Sequence, residues 1–214
     1  MKKHVMLALL ILFLGSSFVF AGAFGAGVSA GGSMAFVGTE PSGEGTPRYG
    51  FTGGVYGDYA FYAIENVVDF SVQPGVYFAM KGFRTELEDF GDAKMEVNMN
   101  YIEVPVLLKA TFDFNLPVKP FVLVGPSVGY AITKEVIIPE TVPSPWNEGI
   151  VASYEEDTSN FDFGLVFGAG VDLDMGISID ARFNLGLLNI DNEATGDDYT
   201  KNRSVSLMVS YNIL

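Results

Sequence analysis

Ser204-Val205-Ser206-Leu207-Met208-Val209-Ser210-Tyr211-Asn212-Ile213 alternates between small polar and large apolar side chains. Val205, Leu207, Val209, Tyr211 and Ile213 fall on one face; Ser204, Ser206, Ser210 and Asn212 fall on the other. Successive side chains of an extended strand point to opposite sides, so a period of two predicts a strand with one apolar face. Helical spacing does not fit it. Ile177 to Ile190 repeats the pattern, with Ile177, Ile179, Ala181, Phe183, Leu185 and Leu187 opposing Ser178, Asp180, Arg182, Asn184 and Gly186. Phe161 to Leu173 does so again, with Phe161, Phe163, Leu165, Phe167, Ala169, Val171 and Leu173 against Asp162, Gly164, Gly168, Gly170 and Asp172.

Outward from these, eight strands are predicted, over about 24–37, 48–61, 70–84, 95–112, 120–134, 160–174, 177–190 and 203–214. Pro74, Pro105 and Pro126 lie inside three of them, which counts against central strands unless a bulge accommodates each. The connections alternate in length: 38–47, 85–94, 135–159 and 191–202 are long, whereas 62–69, 113–119 and 175–176 are shorter. Long outer loops, short periplasmic turns and an even strand number characterise outer-membrane barrels. The expected fold is therefore an all-β, eight-stranded antiparallel up-and-down transmembrane barrel, with both termini on the periplasmic side.

The first residues form a separate unit. Lys2, Lys3 and His4 precede an apolar run from Val5 to Leu14, and small residues around Ala21 and Ala23 supply a cleavage site. A signal peptide over 1–21 is expected, leaving a barrel domain over 22–214. The alternative, an uncleaved anchor, is disfavoured because the apolar core is shorter than the ~20 residues of a span. Later apolar runs are all interrupted, so any membrane crossing must be made by a closed sheet.

Composition excludes several function classes. The 214 residues carry a formal net charge of -14, no Cys and a single His, the His4 of the leader. No basic stripe exists to displace phosphate counterions, so nucleic acid is not an expected partner. Without Cys there is no disulfide, thiolate site or lipidated cysteine. Without a mature His, Ser–His hydrolysis and imidazole metal sites are removed. Gly27-Val28-Ser29-Ala30-Gly31 matches the nucleophile-elbow pattern but lacks the helix and histidine that the pattern needs, so Ser29 reads as a small lumen residue. Gly25-Ala26-Gly27 and Gly168-Ala169-Gly170 open no helix and cannot cradle a dinucleotide phosphate. Asp191 to Asn202 has Gly196 at the sixth place of a calcium loop but Asn202 where a bidentate Glu belongs. No enzyme activity, cofactor or metal is expected.

Periodicity alone leaves two readings of the apolar face: toward lipid, or into the core of a secreted soluble barrel that binds an apolar ligand. Three features favour lipid. The polar face is rich in Gly, Ser and Ala; Tyr49, Tyr59, Phe61, Phe70, Phe112, Phe121, Tyr130, Phe161 and Tyr211 cluster near strand ends; and the chain finishes on a strand. The lumen then receives Asp58, Lys81, Glu103, Lys109, Asp162, Asp172, Asp180 and Arg182. Charges of both signs in so narrow a tube should pair, with pairs expected among Lys81, Glu103, Lys109, Asp180 and Arg182, and plug the barrel rather than open a small solute channel; for Glu103, carboxylate-only catalysis stands as the alternative to a salt bridge with Lys109. Sixteen of the 26 acids fall in the four long loops. Glu155, Glu156, Asp157, Asp191, Glu193, Asp197 and Asp198 are either a solvated rim or a site for divalent cations that bridge to lipopolysaccharide phosphates or a partner.

Several segments resemble the PorT-like outer-membrane β-barrel family, among the OmpA/OmpX-like eight-stranded barrels. They are Tyr101-Ile102-Glu103-Val104-Pro105-Val106-Leu107-Leu108-Lys109, Lys119 to Pro126, Phe161 to Gly170, Ile179 to Leu187 and Lys201-Asn202-Arg203, with Gln73-Pro74-Gly75 and Lys81-Gly82-Phe83 in the third strand. The resemblance covers roughly 24–214 and implies an eight-stranded barrel, but no common activity; the named member serves a secretion and gliding system. The terminal Leu214 departs from the family's aromatic ending. The expected partners are outer-membrane lipid and lipopolysaccharide, with a surface or secretion-system protein as a further candidate, around a monomeric barrel.

Overall fold

The alternation becomes eight antiparallel strands, each hydrogen-bonded to the next in sequence. In the computed structural model, which describes residues 24–40, 43–44, 46–86, 94–139, 159–189 and 199–214, they are β1 (Phe24–Glu40), β2 (Thr46–Ile64), β3 (Val68–Glu86), β4 (Lys94–Phe112), β5 (Val118–Ile137), β6 (Phe161–Leu173), β7 (Ile177–Gly186) and β8 (Tyr199–Asn212). A two-residue strand, Gly43–Glu44, pairs back onto the end of β1. β8 pairs with β1 from Gly27↔Asn212 to Glu40↔Tyr199 and closes the barrel. The proposed leader, residues 1–21, lies outside the described residues.

The register fixes the barrel's stagger. Partners followed around the wall from Phe24 run through Tyr59, Val72, Leu108, Val124, Phe167, Phe183 and Val205, and return to β1 at Met34, ten residues along. A shear of this size tilts the strands by roughly 35–45° and leaves an interior that side chains can fill.

Three turns, at 65–67, 113–117 and 174–176, lie at one end. Each holds a residue in the left-handed region: Asn66 (φ 58), Asn115 (φ 57) and Gly176 (φ 77). Asn and Gly tolerate that conformation best. The Asp113 carboxylate accepts the Asn115 N–H at 2.9 Å, an Asx turn that begins the longest of the three. Both ends of the described chain meet here, where the Ile213 N–H donates to the Ala26 carbonyl at 2.7 Å. The opposite, long-loop end differs from expectation at two connections. β1 and β2 run further than the alternation suggested, so the first link shrinks to 41–45, no longer than the 113–117 turn. Conversely, β7 stops at Gly186 rather than Ile190.

The prolines are accommodated without bulges. Pro74↔Val106 is followed in register by Tyr77↔Glu103, and Pro105↔Ser127 by Leu108↔Val124. The ladder omits the intervening rungs, so the missing N–H groups are absorbed with no slip. Pro126 pairs in register with Leu165. The register shifts lie elsewhere, between Pro47 and Thr52, Ala60 and Tyr62, and Asn100 and Tyr101.

Apolar side chains line the outside. Val28, Val55, Val122, Val124, Phe167, Ile179, Leu207 and Val209 are exposed, while Ser29, Lys81, Lys109, Ser127, Asp162, Asp180 and Ser210 are buried. That is the reverse of a soluble barrel. In β4 the outward face carries Ile102, Val104, Val106, Leu108, Ala110 and Phe112, a belt about 25 Å tall at ~3.3 Å per residue and this tilt. Beyond it the phase inverts: Met95, Val97, Met99 and Tyr101 are buried, and Glu96, Asn98 and Asn100 point the other way. The strand there leaves lipid for water, and its apolar face turns inward. With Val37, Phe83 and Ala131 these residues form an apolar seal across the long-loop end.

Inside, bulky rings lie over glycines of neighbouring positions. A Cβ at Gly75 would stand 2.5 Å from Cε2 of Tyr77, and one at Gly170 2.7 Å from Cζ of Phe121. Phe121, expected in an interfacial girdle, is thus a lumen residue. Gly75→Val should lower stability by about 1–3 kcal/mol through overpacking, read as a lower urea midpoint of the folded barrel in detergent.

Candidate functional site

The lumen holds the charged residues that alternation placed there, in discrete groups. Nearest the apolar seal, β4, β5 and β6 align Glu103, Gly129 and Asp162 in one row. Gly129 leaves space between the two carboxylates, because a Cβ there would touch Tyr101, Asp162 and Glu103. Lys81 reaches in from β3, with Nζ 2.6 Å from Glu103 Oε1 and 3.3 Å from Asp162 Oδ2. Its ammonium also sits 5.2 Å from the centroid of the Tyr101 ring. Asn202 of β8 donates to Asp162 Oδ2 at 3.1 Å and to the Tyr101 hydroxyl at 3.2 Å. Asn184 donates to Glu103 Oε1 at 3.2 Å. The second Asp162 oxygen, Oδ1, is buried without a hydrogen-bond partner among the described residues.

A second group is built on β7. Arg182 Nε lies 2.6 Å from Asp180 Oδ2, and Nη2 lies 3.2 Å from Oδ1, a bidentate pair. Nη1 donates to the Tyr77 hydroxyl at 3.3 Å. A cavity of about 40 Å³, bordered by Glu103, Arg182, Ser127, Asn184 and Ser206, has room for a few water molecules and no more.

The third group lies toward the turn end. Lys109 Nζ lies 2.8 and 3.0 Å from the two Asp172 oxygens, and Ser178 donates to Asp172 Oδ1 at 2.6 Å. The Lys109 ammonium sits 4.1 Å from the Phe121 ring centroid. Lys109 therefore pairs with Asp172 and not with Glu103. The difference follows from geometry: Glu103 and Lys109 share a face of β4 but stand six residues apart. Asp58 takes no cation among the described residues; Gln73 donates to it at 3.1 Å. Ser29, the would-be nucleophile, accepts from Ser210 at 2.9 Å. Leu107, Phe121, Leu123 and Val166 form a buried apolar cluster in the lumen.

Seven of the eight expected lumen residues fall in these three groups, and Asp58 stands apart with Gln73. Reading the sequence missed their neutral partners Tyr77, Tyr101, Asn184 and Asn202. It also missed the Arg48–Glu96–Arg84 cluster at the long-loop end, where Glu96 lies 3.3 Å from Arg48 Nε and 2.9 Å from Arg84 Nε. The signal for the cluster is in β4, where Glu96, Asn98 and Asn100 occupy the phase that is apolar further along. The rim acids Glu155, Glu156, Asp157, Asp191, Glu193, Asp197 and Asp198 lie outside the described residues.

A closed sheet with an apolar exterior and an ion-paired interior defines an integral β-barrel membrane protein. Residues 17–192 match the outer membrane protein beta-barrel domain family, and the chain belongs to that family. Its place is the outer membrane. Among solved structures, Neisserial surface protein A (NspA) is 15% identical, covering 87% of this chain and 96% of its own at a TM-score of 0.46. Ail, the attachment invasion locus protein of Yersinia pestis, is 16% identical, covering 88% and 98% at 0.41. The outer membrane enzyme PagL is 12% identical, covering 88% and 99% at 0.46. Comparison with curated protein sequences finds no match.

Proposed function

We propose that this outer-membrane barrel is non-enzymatic and closed, and that it acts through its surfaces rather than through its lumen. The carrying observation is that four of the five lumen carboxylates, Glu103, Asp162, Asp172 and Asp180, are each engaged by a lumen cation, while the fifth, Asp58, accepts from Gln73. A carboxylate committed to an ion pair is a structural element, and general acid–base work needs one within reach of a substrate. The long connections face outward and both termini face the periplasm. The acidic rim, through residues such as Glu155 and Asp197, meets lipopolysaccharide, by way of divalent cations, or a surface partner. A secretion-system protein is one candidate for that partner, and the barrel works as a monomer.

Two experiments test this reading. Protease added to intact cells should cut the 140–158 connection and leave the 65–67 turn untouched; cleavage only after outer-membrane rupture would reverse the orientation. The purified protein should hydrolyse neither lipid A acyl esters nor peptides, and turnover of either would refute the non-enzymatic reading.

A further inference from the structure

Turns that end in water are built from polar residues. At the turn end of this barrel the tips are apolar. Val67 is 49% exposed, Phe114 59%, Leu116 58% and Met175 69%. The tips are held rather than loose. Asn66 and Asn115 set the left-handed turns. Lys119 Nζ pairs with Asp113 at 2.7 Å across the β4–β5 turn. The Asp113 N–H donates to the Val67 carbonyl at 3.0 Å, tying the β2–β3 and β4–β5 tips together.

The apolar tips continue a surface already assigned to lipid. Phe112 is the last outward residue of the β4 belt, and the Phe114 ring stacks on it at 6.3 Å with planes 7° apart. On the adjoining hairpin Tyr62 and Phe70 lie 6.1 Å apart. Phe114 lies two residues past the belt, under about 7 Å at strand rise. The polar layer flanking the hydrocarbon core is about 5–8 Å deep on each side, and aromatic side chains favour it. Among the described residues the charged side chains there are Glu65, Asp69, Asp113 and Asp174 against Lys119. That balance opposes anionic headgroups and suits the ammonium of a zwitterionic one.

We propose that the β2–β3 and β4–β5 hairpin tips are a membrane-contact surface, seated in the headgroup layer of zwitterionic phospholipid with Phe114 and Leu116 as anchors. The identity of that leaflet as the inner one rests on the orientation proposed above; the lipid contact itself does not.

Trp146 is the only tryptophan, so Trp146→Phe gives a silent background for reporters in the full mature barrel in phosphatidylcholine nanodiscs. Phe114→Trp and Leu116→Trp should each lose roughly half their emission to lipid brominated near the headgroup, less to lipid brominated near the chain end, and little to aqueous iodide. Quenching by iodide with none by either lipid would overturn the proposal and leave the tips free for a soluble partner. Val124→Trp, in the middle of the outward face of β5, should be quenched most by deeply brominated lipid. If Val124→Trp is not quenched, the placement of the wall in lipid fails as well, which separates the two failures. Orientation cannot enter, because the two leaflets of the disc are the same.

Discussion

Lys81→Met is expected to destabilise the barrel by about 3–5 kcal/mol, the range found when one member of a buried ion pair is removed. The lysine is 3% exposed and is the cation shared by Glu103 and Asp162. Its loss strands two carboxylates in an interior where Asp162 Oδ1 already lacks a partner. Asn184 and Asn202 can still donate to Glu103 and Asp162, but an amide dipole does not neutralise a charge. The measurement is the urea midpoint of refolding into lipid vesicles, followed by heat-modifiable gel migration. Lys81→Met combined with Glu103→Gln and Asp162→Asn should recover most of the loss, since neutral groups of the same shape leave no stranded charge. A single variant within about 1 kcal/mol of the parent, well short of that range, would mean that the triad is not the buried ionic centre described.

The second large effect is on the outside. Val124 lies in the middle of the outward face of β5 and is 42% exposed. Val124→Arg should cost about 2–4 kcal/mol in a bilayer, as a cation does near the midplane of a barrel's lipid face. On a water-facing wall the same change would fall within about 0.5 kcal/mol. Vesicle refolding distinguishes the two outcomes, and Glu96→Arg provides no substitute, because Glu96 lies beyond the phase inversion of β4.

The fold was legible because a wall one residue thick between lipid and lumen writes its two environments into alternate residues. Strands β6, β7 and β8 carry that alternation, with Met208 of β8 the apolar exception on the lumen face, and Asp162, Asp180 and Arg182 stand on the lumen face that it predicts. What alternation cannot give is which cation meets which carboxylate. Lys81 finds Asp162 from three strands away, and Lys109 finds Asp172 from two, so those pairs depend on barrel closure and stagger rather than on local spacing. Phe121 misled because an aromatic near a strand end can lie on either face, and its phase in β5 (with Leu123 and Ser127) places it under Lys109. Pro74 and Pro105 suggested bulges, yet a ladder can omit rungs without changing register. The extension of β1 and β2 past the membrane was obscured because polar and glycine residues there read as loop, although a sheet standing in water favours the inverted pattern that Met95 to Asn100 show.

The central claim is that side chains close the lumen, through the Lys81, Arg182 and Lys109 groups under the seal formed by Met95, Val97 and Met99. Single-channel recording of the purified protein in planar bilayers tests it most directly. The closed lumen predicts insertion with no steady conductance steps at moderate voltage. Reproducible steps of uniform size would contradict it and make the barrel a channel.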